Sequence, residues 1–207
     1  MHSFFKRAPK ASAFASVAAA LVASLAVAAP AHAAKVVNFD MVRSPALNAF
    51  PNCLPYAHGS VHVVSKGAVE VMTVTLDGLP YNTGFDLFVI QQPNAPFGMA
   101  WYQGDMESDG AGHATQRFIG RFSNETFIVA PGSVPAPAVD EHDATSNPAT
   151  GPIHTAHLGL WFNSAVDAAA NGCPNAVTPF NGEHEAGVQL LNTSNFADLN
   201  GPLLRVH

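Results

Sequence analysis

Six residues of the right type to bind a transition metal fall in three places: His58 and His62, His154 and His157, and Glu183 next to His184. Neutral imidazole and carboxylate together make a sound ligand set for Zn or Cu. His154 and His157 lie three apart on an expected strand, so their side chains face opposite sides and cannot share an ion without a bulge. They are expected instead as hydrogen-bonded structural histidines near strand ends. His58 and His62 lie four apart and share a face, which suits a ligand pair better, but the sequence fixes no third ligand. No cofactor is therefore predicted, and a divalent metal, Zn or Cu, stands as the alternative.

Other chemistry is sparser. Trp101, Tyr102 and Trp161 could stack on a sugar or another flat ligand, although Trp161 between Leu160 and Phe162 has core-like neighbours. The run Asp105-Met106-Glu107-Ser108-Asp109-Gly110 has the alternating oxygens of a calcium loop. Its twelfth position is Gln116, where an EF-hand needs a bidentate Glu, so a hairpin turn explains it better. Beyond residue 33 there is no G-x-S-x-G, S-x-x-K or H-E-x-x-H signature. Glu183 and Glu185 could serve glycoside chemistry as a carboxylate pair, yet the same spacing on a strand describes a solvated face. A catalytic assignment is left open, leaning towards none.

The elements that must position these residues are strands. Residues 69–76 and 85–90 are rich in β-branched and aromatic side chains and flank Gly78, Pro80, Asn82 and Gly84, which predicts a central hairpin. Residues 36–42 and 58–64 are expected as earlier strands, and 97–107 with 113–122 as a second hairpin. Residues 126–130 form a further short run, 153–163 a strand apolar on both faces, and 178–192 an Asn-Gly turn followed by a strand. One helix is expected over 164–170, with Ser164 as N-cap and Gly172 just past its end. Pro, Ala, Gly and Ser dominate 131–152, predicting a long loop. The class is therefore all-β, an antiparallel β-sandwich or partly closed barrel with one short helix.

Residues 1–33 combine Lys6, Arg7 and Lys10, an alanine-dominated apolar run, and the small-residue site Ala31-His32-Ala33. This is the pattern of a cleaved signal peptide, leaving residues 34–207 as a single domain with no transmembrane anchor. Its loss removes three of the nine Lys and Arg and takes the formal net charge from −6 to −9. Only Lys35 and Lys66 remain as lysines, so no basic footprint for nucleic acid or anionic lipid is present. Cys53 and Cys173 are the only cysteines. The signal pattern places the protein in the periplasm or outside the cell, and in that oxidising compartment the two are expected to pair.

Three stretches resemble a group of small exported bacterial proteins of uncharacterised function: HLGLWFNS at 157–164, CPNAVTPFNGEHEAGVQLLNTSNF at 173–196, and FDLFVIQQPNAPFGMAWYQGD at 85–105. The resemblance covers most of the mature chain and implies export, but no activity. More loosely, the strand-Gly-Leu-Pro-strand pattern is similar to hairpins of immunoglobulin-like and superoxide-dismutase-like sandwiches. The dismutase copper site would need His-x-His where this chain has Phe85-Asp86-Leu87-Phe88-Val89, so that chemistry has no counterpart. The expectation is an extracytoplasmic binding or envelope-associated module whose partner is a small molecule, a glycan or a protein. A metal-binding protein or metal-dependent enzyme is the alternative.

Overall fold

The computed structural model describes residues 34–122, 128–129, 155–178, 185–198 and 200–206, all within one compact unit, Ala33–His207. The strands are β1 (Val36–Arg43), β2 (His58–Ser65), β3 (Glu70–Asp77), β4 (Gly84–Ile90), β5 (Met99–Glu107), β6 (Ala114–Gly120), β7 (Ile128–Val129), β8 (His157–Phe162) and β9 (Gln189–Asn192). One α-helix, α1 (Ala165–Ala170), stands among them. All pairings are antiparallel, in the order β6-β3-β2-β1-β9-β8-β4-β5-β7. The all-β class, partly closed as a barrel, is as the sequence predicts.

β1 turns one end of the barrel into the other. Val36 to Met41 pair with β2, whereas Val42 and Arg43 pair with β9. The interior is filled from both sides, by Met41, Val61, Val63, Met72, Val74 and Leu76 against Phe85, Leu87, Leu158, Leu160 and Phe162. β2 and β3 alternate buried with less buried residues, as strands with one solvated face do. β4, β8 and β9 are buried on both faces.

Both expected hairpins are instead arches between sheet halves. β3 pairs with β2 and β6, and β4 pairs with β5 and β8, so residues 78–83 cross from one half to the other. Residues 108–113 make the same crossing from β5 to β6. The physical reason lies in β4: with apolar groups on both faces it needs a neighbour strand on each edge and a cover on each side. The two arches lie side by side and bond to one another, Leu79 N–H to Gly112 O at 3.1 Å and Asn82 N–H to Asp109 O at 3.3 Å. Ser108 locks them, its hydroxyl bonded to Pro80 O at 2.5 Å and accepting from Thr83 N–H at 3.0 Å.

The Cys53–Cys173 disulfide is formed and ties the turn before β2 to the chain after α1. Ser164 caps α1 as expected, accepting from the Val166 and Asp167 amides at 3.1 and 3.2 Å. Among the described residues no helix is long and apolar enough to cross a membrane. The predicted signal segment 1–33 and the whole of the predicted 131–152 loop lie outside the described residues.

Candidate functional site: the seam between β5 and β6

Among the described residues β6 is bonded to β3 on one edge and β5 to β4 on one edge, and no strand pairs the other edge of β6 or that of β5 beyond Ala100. β7 reaches only Met99 and Ala100 of β5. A groove of about 190 Å³ opens there, lined by Trp101, Tyr102, Gln103, Ile119, Arg121 and Phe122 among others. The bulge in β5 shapes it. Leu87 faces Gly104 and Phe88 faces Tyr102, so Gln103 is an extra residue that bends the strand edge. Trp101 opposes Val89 and so stands on the interior side, while Tyr102 opposes Phe88 on the outer side. Each aromatic is 39% exposed, a large fraction for such side chains on a packed sheet.

Beneath the groove lies a buried acid. Glu70 occupies the interior-facing alternation of Met72, Val74 and Leu76 and is fully buried. Its carboxylate accepts from the Phe122 amide at 2.8 Å and meets the Arg121 guanidinium at 3.2 Å. Arg121 also donates to Ala68 O at 3.1 Å, which fixes it at the groove wall. The groove thus presents the Trp101 ring, an amide side chain and a fixed cation, with Tyr102 at its outer rim: a set suited to holding a flat, partly polar group.

The three aromatics named from sequence do not form one platform. Trp101 and Tyr102 meet at the seam, but Trp161 is fully buried on the outer side of β8. It packs edge-on to Phe88 and Phe97, with ring centroids 5.4 and 5.0 Å away. Trp161 instead walls a second, more apolar cleft of about 490 Å³ with Leu47, Ala95, Phe97, Val188 and Gln189. The polar groups beside that cleft are engaged internally. Gln189 accepts from Ser44 Oγ at 2.9 Å, and Gln189 and Asn192 donate to Pro93 O at 3.1 and 2.9 Å, pinning the loop between β4 and β5.

The histidines separate into unlike environments. His58 and His62 do share the exposed face of β2, but four residues on a strand span about 13 Å. His62 donates to Asn38 Oδ1 at 2.6 Å, whereas His58 bonds to Tyr56 O at 3.0 Å. His157 is fully buried between Thr193 Oγ1 at 2.9 Å and Asp198 O at 3.1 Å. Burial pushes it below its ordinary value, against the opposing effect of the Asp198 carbonyl. His154, Glu183 and His184 lie outside the described residues. Among the described residues no three His, Cys, Asp or Glu surround a common point as ligands of one ion.

Sequence reasoning passed over Glu70 and Arg121, and over the pair Asp77 and His113. The signal for Glu70 was present: a carboxylate two residues before Met72, in register with a core-facing alternation. Asp77 and His113 are joined only by pairing between distant strands. The chain matches no protein-family model and shows no significant similarity to a curated protein.

Proposed function

We propose that this chain is an exported, non-catalytic binding module that holds its ligand in the seam between β5 and β6. The observation that carries the reading is the exposure of Trp101 and Tyr102 together at a groove whose wall includes the anchored Arg121. Exposed aromatics beside fixed polar donors are the usual currency of sugar and small-ligand recognition. The groove is smaller than the ~300–1,000 Å³ of sites that swallow a drug-sized ligand, so it takes a single ring of a larger molecule. A glycan, with flat apolar ring faces bordered by hydroxyls, is the class that suits it best. Glu70, the carboxylate under the groove, is bonded to Arg121 and Phe122, which supports holding rather than proton transfer. Export is supported by the disulfide, since such bonds persist chiefly in oxidising compartments, and by the signal pattern over 1–33.

The chain has two tryptophans, so intrinsic fluorescence can test the site directly. A panel of soluble glycans should contain members that shift the emission saturably, with the shift lost in Trp101→Phe and affinity lowered in Tyr102→Ala. A shift retained in Trp101→Phe, or the absence of any response across the panel, sinks the seam as a glycan site.

A further inference from the structure

Away from the seam, where the end of β3 meets the start of β2, His58 and Asp77 are direct cross-strand partners. His58 Nε2 stands 3.7 Å from Asp77 Oδ2. That separation is too long for a hydrogen bond. It is close to the roughly 3.5 Å expected between two ligand atoms that each bind one ion at about 2.0–2.2 Å.

The protonation of the ring sharpens the point. The Tyr56 carbonyl can only accept, so His58 Nδ1 carries the proton that joins them at 3.0 Å. This leaves Nε2 as the ring atom that faces the carboxylate, with room between them for a cation. The Tyr56 carbonyl lies close against Gly78, where φ is +72° and an added Cβ would meet that oxygen at 2.5 Å. On the other side His113 Nδ1 donates to Asp77 Oδ1 at 2.5 Å and so aims Oδ2 at His58. Asp109 in turn accepts from the His113 amide at 2.9 Å and orients the arch that carries it.

We propose that His58 Nε2 and Asp77 Oδ2 form a surface site for a divalent transition cation of the zinc or copper type, with His113 and the Tyr56 carbonyl as its orienting shell. Both donors come from paired strands and are therefore pre-positioned. Each is oriented through its other atom, as ligands in metal sites commonly are. Side chains that are 66% exposed at His58 and 36% at Asp77 leave room for water to complete the coordination. Imidazole with carboxylate selects zinc or copper over calcium or magnesium. A formal charge of −6 on the whole chain adds a general attraction for cations.

The test is titration of the untagged protein with Zn²⁺ alone, read by calorimetry and by the ring resonances of the histidines. Wild type should bind saturably, with His58 ring signals shifting at Nε2. His58→Gln and Asp77→Asn should each lower affinity at least tenfold, and His113→Gln should lower it roughly ten- to a hundredfold as loss of an orienting partner does. His58 and His113 are exposed and Asp77 is half-buried, and unchanged thermal unfolding of the zinc-free variants will show that the fold is kept. Absence of saturable binding overturns the proposal, as does zinc affinity that survives both His58→Gln and Asp77→Asn.

Discussion

Glu70 and Arg121 meet at 3.2 Å on the β3–β6 side of the seam, the carboxylate fully buried and the guanidinium 42% exposed. The pair links the interior of the barrel to the wall of the proposed ligand groove. Removing the cation leaves a buried carboxylate without its charge partner, a change that costs about 3–5 kcal/mol when both ends are buried. Because the arginine end reaches solvent, Arg121→Ala should cost less, about 1–3 kcal/mol. Glu70→Gln keeps an acceptor for the Phe122 amide and should be milder. Denaturant unfolding at neutral pH checks the order, and equal stability of Arg121→Ala and wild type would refute it.

His157 gives the fold a pH dependence of definite sign. Asp198 O can only accept, so Nε2 carries the ring proton and Nδ1 accepts from the Thr193 hydroxyl. Burial lowers the folded imidazole below its ordinary value of 6.5. Between the lowered folded value and 6.5 the unfolded chain binds more protons than the folded one, so stability rises with pH there. The contribution is complete above about 6.5 and is lost as pH falls towards the folded value. Its slope cannot exceed about 1.4 kcal/mol per pH unit. Unfolding free energies of wild type and His157→Gln, compared between pH 7.5 and 5, should show a shallower dependence in the variant; parallel curves would contradict this.

Gly159 is required by its neighbour two residues on. The Trp161 indole folds across it on the outer side of β8, and an added Cβ would overlap the ring and crowd Gln189 Nε2 at 2.8 Å. Gly159→Ala should therefore displace Trp161 and cost about 1–3 kcal/mol by overpacking. The near-ultraviolet circular dichroism of the buried indole is the sensitive readout, and an unaltered spectrum would argue against the contact.

The disulfide joins cysteines 120 positions apart in the sequence. Replacing Cys53 and Cys173 together with alanine should cost about 2–5 kcal/mol. Arg43 offers a partial local substitute, since it donates to the carbonyls of Cys53, Leu47 and Phe50 at 2.8, 2.8 and 2.6 Å. The same turn in an Arg43→Ala, cysteine-free double background should become protease-sensitive before the rest of the chain unfolds. Global unfolding with no earlier cleavage in this turn would show that Arg43 adds nothing.

What could be read from the sequence was local. Strand positions follow from runs of β-branched and aromatic residues, and the Ser164 cap and Gly172 stop of α1 follow from side-chain and backbone chemistry within a single turn. The disulfide needed only two cysteines and the expectation of an oxidising compartment. Strand partners were not legible, because Gly78 and Pro80 permit both a hairpin and an arch; the choice is made by what covers both faces of β4. The site followed the same division. Trp101 and Tyr102 stand out by residue type, but their separation from Trp161 depends on the β5 bulge and on β8 pairing with β4. The meeting of His58 and His113 at Asp77 exists only because β2, β3 and the second arch converge. Composition and spacing determined the class of fold and the kinds of donor available, since these depend on each residue and its near neighbours. Tertiary structure decided which donors meet, because cross-strand pairing joins residues by register, over separations that sequence patterns do not encode.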